Sequence, residues 1–205
     1  MRLFLACVAL ASSIATCDAQ TAPPPVPPDA FRNTKHTVAT PLATQFSLGE
    51  FVVRMEETRL DAVRDAVGGG TVAHQGDAGE SIYWLCYRNS RRNLWIVSDG
   101  EMGGREHRVT EVVEELVSKD SGASVDCPEI AKKFEPVVLD RGICLGMTRK
   151  QAITALGPPS KSDGAWLIYS HLGRLENGFD EAGWLLLAFR GGRIAFMRGG
   201  KTTTN

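Results

Sequence analysis

Neither sign of charge dominates this chain. Its 23 Lys and Arg offset 24 Asp and Glu, which leaves a formal net charge of −1. Nucleic-acid phosphates call for a concentrated basic face, so the balance argues against a nucleic-acid partner. One basic cluster, Arg88-Asn89-Ser90-Arg91-Arg92, reads as a solvated hairpin turn or as a docking point for an acidic partner. Long apolar runs are missing as well. Leu3 to Ala15 is too short to span a bilayer stably, and no other stretch approaches that length. Histidine is scarce: His36, His74, His107 and His171 stand apart, none at ligand spacing. His74 and Asp77 fall in a polar stretch read as a solvated loop. There is no Gly-x-Ser-x-Gly elbow, no phosphate loop and no His-Glu-x-x-His. Gly68-Gly69-Gly70 follows a helical pattern instead of opening one, so it is a stop. Asp99-Gly100-Glu101 and Asp180-Glu181 supply too few oxygen ligands for calcium. These gaps argue against catalysis, a metal and a cofactor. An enzyme would need a pocket of convergent polar groups.

What is present begins with an export signal over residues 1–19, with Arg2 as its positive end. Two processing routes compete. Cleavage after Ala19 leaves Gln20 first, whereas Ile14-Ala15-Thr16-Cys17 resembles a lipobox that would lipidate Cys17. Residues 20–44 form a Pro-rich spacer and irregular segment. Its run Thr21-Ala22-Pro23-Pro24-Pro25-Val26-Pro27-Pro28 suits a stiff polyproline tether that holds a domain away from an anchor. Of the five cysteines, Cys86, Cys127 and Cys144 lie beyond the signal, a usage that fits an oxidising compartment. A Cys127–Cys144 bridge would close a short loop worth about 3 kcal/mol by chain entropy. Cys86 then reads as a small buried apolar residue.

Residues 145–197 carry the clearest pattern. Thr148 can cap a short helix, Ala152, Ile153 and Leu156 give it an apolar stripe, and Gly157-Pro158-Pro159 stops it. Trp166-Leu167-Ile168-Tyr169 reads as a strand. Two further apolar runs, from Trp184 and from Arg193, meet at Gly191-Gly192 as a hairpin. A weaker copy precedes it: a helix from Thr58 to Gly68, then Trp84-Leu85-Cys86-Tyr87, Leu94-Trp95-Ile96-Val97 and Gly103-Gly104. The fold class expected is α+β, with two tandem units, each a short helix packed on a small antiparallel sheet. The first unit spans residues 45–120, a connector with the disulfide 121–144, and the second unit 145–200. Val109 to Val117 fits a helical stripe, but the hairpin needs a strand there, and the strand is preferred.

A sheet with helices on one side leaves its other face uncovered. Strand alternation sends Tyr83 and Tyr87 to the opposite side from Trp84 and Cys86. Rigid aromatics offer large contact area at low entropy cost, so Tyr83, Tyr87, Trp95, Tyr169 and Trp184 are the candidate protein-binding residues.

Gly146-Met147-Thr148, Gln151-Ala152, Leu156-Gly157-Pro158-Pro159, Trp166, Tyr169 and the Phe189 to Ile194 hairpin resemble the BamE/SmpA outer-membrane assembly lipoproteins. The duplicated order resembles the β-lactamase inhibitor protein (BLIP) fold. The first unit lacks Gly-Met-Thr and the prolines after its glycine. The resemblance implies a non-catalytic binding module of the bacterial envelope. Its partner would be another protein: an envelope enzyme or toxin held by a periplasmic inhibitor or immunity protein, or an assembly component served by an accessory lipoprotein. Contact with the membrane would be only through the lipid anchor.

Overall fold

A computed structural model describes residues 21–77, 81–89, 91–101, 103–117 and 127–204. The signal over residues 1–19 and the lipidation candidate Cys17 lie outside the described residues. The first elements are a hairpin, β1 (Gln45–Leu48) and β2 (Phe51–Arg54), turning through Gly49. That glycine has φ +57, and a Cβ there would meet the Lys133 carbonyl oxygen at 2.0 Å. Helix α1 (Leu60–Val67) buries Leu60 and Val63 and ends at Gly68 in the left-handed region. Four strands follow as a meander: β3 (Ala73–Gln75), β4 (Ile82–Arg88), β5 (Arg92–Asp99) and β6 (Glu111–Leu116). The connector then supplies β7 (Val137–Leu139), which pairs with β1 to complete a three-stranded sheet, β2-β1-β7. Helix α2 (Arg149–Leu156) opens a second meander of β8 (Lys161–Asp163), β9 (Trp166–Arg174), β10 (Asp180–Arg190) and β11 (Arg193–Thr204).

The two meanders form one sheet. Its order is β3-β4-β5-β6-β11-β10-β9-β8, joined where β6 lies antiparallel to β11 from Phe196↔Glu115 to Gly200↔Glu111. The fold is therefore α+β, mostly antiparallel, with two short helices. Both helices and the small sheet share one core on one side of the large sheet. Leu60 and Val63 of α1, Ala152 and Leu156 of α2 and Phe46 of β1 meet Leu85, Tyr87, Ile96, Tyr169, Leu185 and Leu187 there.

Local sequence explains the helix ends unevenly. Thr148 forms a full capping box with Gln151, as its hydroxyl suggests. Thr58 does not cap α1. Its hydroxyl accepts the Arg54 N–H, and Arg59 stands at the N-cap without a side-chain capping bond. Ile153, expected in the apolar stripe of α2, is exposed instead, because Ala152 and Leu156 four residues apart already face the core. Residues 111–116 are strand. β6 is central in the sheet and covered on both faces, so Val112 packs on the helix side and Val113 on the other. That two-sided burial produced the helix-like run of valines. The stretch around His74, expected as loop, includes the edge strand β3.

The disulfide expectation is corrected. Cys127 bonds Cys86, with 5.4 Å between the Cα atoms, and Cys144 is a free thiol. The connector returns beside the end of β4, where Arg88 N–H donates to Pro128 O and Ile130 N–H to Arg88 O. Those bonds set Cys127 over Cys86, while Cys144 stands before α2, half-buried. Nearness in sequence misled here, because bridge geometry depends on which chain segments run side by side.

Residues 21–31 overturn a second expectation. They do not stand off as a tether. They lie across the side of the large sheet away from the helices, as a strap.

Candidate protein-docking face

The strapped side of the sheet follows from strand alternation. In β4 and β5 it receives Trp84, Cys86, Trp95 and Val97, and in β9 and β10 Trp166, Ile168, Trp184 and Leu186. Every tryptophan of the chain is on this side. Phe196 of β11 lies between the two groups, its ring edge-on to Trp166 at 5.6 Å. Gly200 makes room for one of these indoles: a Cβ there would meet Trp184 at 2.4 Å.

Polar groups on this side are few: the buried Trp84 indole N–H has no hydrogen-bond partner among the described residues, and the charges at the seam are paired. Glu111 reaches across the β6–β11 seam to Arg198, which donates from Nε and Nη2 at 2.7 and 2.6 Å. The Trp184 indole N–H donates to the same carboxylate at 3.0 Å. Both charged side chains are nearly buried, and Glu111 is compensated by three N–H donors from two side chains. Two further donors reach the strap. Trp95 Nε1 donates to Thr21 O at 2.9 Å, and Arg198 Nη1 donates to Pro24 O at 2.6 Å. Farther along, Lys161 Nζ donates to Asp29 O at 2.8 Å, and Val38 N–H to Ser170 O. Past the strap, on the helix side of β9, His171 Nδ1 donates to Val38 O at 2.8 Å, because a carbonyl only accepts. Ala22, Val26 and Ala30 face the sheet. Clefts remain on either side of this contact. One of about 300 Å³ lies between Pro23, Val26 and Phe31 and the Trp184, Glu111 and Arg198 side chains. Another of about 190 Å³ lies between Pro27 to Ala30 and Trp166, Ile168 and Lys161.

Of the residues expected to bind a partner, Trp95 and Trp184 are on this side, and Tyr83, Tyr87 and Tyr169 are not. The tyrosines face the helices. Tyr87 donates its hydroxyl to Gly69 O at 2.9 Å, just past α1, and Tyr169 donates to Gly157 O at 3.1 Å, at the end of α2. Burial pushes the Tyr169 phenol up to about 12 and raises that of Tyr87 further. Tyr83 stacks between His74 and His107 at ring distances of 4.5 and 3.9 Å. Sequence reasoning missed Trp84 and Trp166. The signal was available: alternation pairs each with a residue already assigned to one side, and the error was to choose tyrosines from the other.

Elsewhere, Lys201 Nζ lies 3.2 Å from Glu56 and 2.9 Å from Glu181. Burial opposes its charge, but bonds to the two carboxylates outweigh this and raise its pKa. Among the described residues no three of His, Cys, Asp and Glu come together as a metal would require. No helix among them is long and apolar enough to cross a membrane. Compared with family models, with curated proteins and with solved structures, the chain matches none.

Proposed function

We propose that the protein is a non-catalytic binding module of the bacterial envelope. It docks another protein on the tryptophan side of its sheet, as an inhibitor or immunity protein does. One observation carries the reading: that side already holds a segment of the chain itself. An extended segment lies across the tryptophans, with carbonyls at Thr21 and Pro24 taken by a Trp and an Arg donor. A broad, rigid sheet of eight strands suits an interface of ordinary size, about 1,600 Å². The Cys86–Cys127 bridge is compatible with an oxidising compartment, which agrees with export through residues 1–19.

The reading extends to the origin of the fold as two tandem units of BLIP type. Two likenesses support it. Each half runs helix, then a four-stranded meander, and in each a tyrosine on the second strand of the meander bonds a glycine carbonyl at or just after the helix end.

The test is a pull-down from the native envelope with the chain from Gln20 onward, read by mass spectrometry. One hydrolase or toxin recovered in stoichiometric amount is the expected result. Recovery of outer-membrane assembly components would replace it with the accessory reading. Absence of any saturable partner would overturn both.

A further inference from the structure

We propose that the tryptophan side is a recognition groove for an extended, proline-rich peptide presented by another protein, with residues 21–31 as its built-in competitor. The proposal rests on reading this side as a docking surface and names the chemistry of the partner. In a polyproline II helix three residues make one turn, so carbonyls three apart point the same way, about 9 Å apart. Thr21 and Pro24 have that spacing, and their carbonyls meet Trp95 Nε1 and Arg198 Nη1. The groove thus offers donors, and a proline-rich chain needs them, since proline has carbonyls but no N–H. Acceptors would be wasted on such a ligand, and the Glu111 carboxylate is already consumed by Arg198 and Trp184. Both guanidinium contacts to Glu111 also fix the third Arg198 nitrogen in place, whatever chain lies above it. Aromatic-lined grooves with such donors are a general mode of polyproline recognition.

The strap fills its groove poorly. Small side chains at Val26 and Ala30 leave the clefts of about 300 and 190 Å³ beside them. A second copy of this chain would bring the same small residues and the same gaps. A partner with the same proline spacing and a bulkier residue at the Val26 position would fill the larger cleft, and that difference favours a separate protein.

Fluorescence anisotropy of labelled synthetic peptides against the full mature chain tests this. The peptide of residues 21–31 should bind the Val26→Asp chain about tenfold more tightly than the unaltered chain, because a tethered competitor acts as though present at about millimolar concentration. The same peptide carrying Val26→Phe should bind about tenfold more tightly again. Replacing its prolines with alanine should abolish binding, and Trp95→Phe in the Val26→Asp chain should weaken binding about fivefold. If Val26→Asp does not fold, the Pro24→Gly, Pro27→Gly chain serves instead. Equal binding of the proline and alanine peptides overturns the proposal, as does equal binding by the altered and unaltered chains. A concentration-dependent dimer of the unaltered chain reassigns the groove to a second copy. A pulled-down partner without a proline-rich run overturns this proposal and leaves the docking function standing.

Discussion

Glu114 is the most exposed to pH of the single residues, although it is among the least exposed to water. It projects from β6 to the helix side with 1% of its surface accessible, and its Oε2 has no hydrogen-bond partner among the described residues. Arg92 Nη1 is 3.3 Å from the other oxygen. Burial pushes the carboxyl up to about 7, against the pull of Arg92. A carboxyl raised in the folded state favours the protonated form there. Its contribution is fully present below the unfolded carboxyl range and is lost as pH rises toward about 7. Glu114→Gln should therefore match the native chain at pH 4 and exceed it at pH 8 by about 3 kcal/mol, from about 1.4 kcal/mol per unit. Urea midpoints at the two pH values measure it, and equal differences at both would refute it. Gly200 is a second sensitive position. A methyl group there meets Trp184 at 2.4 Å and the Thr110 carbonyl oxygen at 2.8 Å. Gly200→Ala should cost about 1–3 kcal/mol, and faster hydrogen exchange in residues 21–31 should accompany the loss as Trp184 shifts under the strap.

The disulfide governs the element scale. It ties β4 to the connector across 41 residues, which the chain-entropy relation values at about 4 kcal/mol. Reduction should lower the guanidinium midpoint accordingly. Before reduction, unfolded protein from Gln20 onward should take up one equivalent of iodoacetamide, at Cys144. A label on Cys86 or Cys127 would contradict the pairing. Helix α2 should lose about 1 kcal/mol in Thr148→Ala, whereas Thr58→Ala, a bond outside the cap, should leave α1 helical by circular dichroism. These elements also show what a sequence can disclose. Thr148, Gln151 and Gly157 act on their own neighbours, so α2 and its ends were legible, as was the hairpin at Gly191-Gly192. Alternation divided Trp84 from Tyr83 correctly. It could not say which side the helices would take, and so Tyr87 and Tyr169 were assigned to a surface while they anchor the core. Cys86 was illegible for a similar reason. Its partner arrives through backbone bonds of Arg88 to residues 128–130, which no spacing encodes.

At the scale of the whole molecule the seam between β6 and β11 holds the two meanders together. One nearly buried ion pair, Glu111–Arg198, crosses it. Arg198→Ala strands the carboxylate and should cost about 3–5 kcal/mol, seen as a lower thermal midpoint. Arg198→Ala with Glu111→Ala should recover part of that loss. Recovery of none would assign the cost to the Pro24 carbonyl bond instead. The strap has a further consequence for how the molecule is oriented. Four peptide units separate Cys17 from Thr21, a reach of at most about 14 Å. Thr21 is pinned at Trp95, so anything attached at Cys17 is on a short leash that ends on the tryptophan side. An acyl chain at that cysteine would turn this side toward the lipid and the helices away. Unfastening the strap would lengthen the leash past residue 31, and the same event would bare the groove and lift it clear of the membrane.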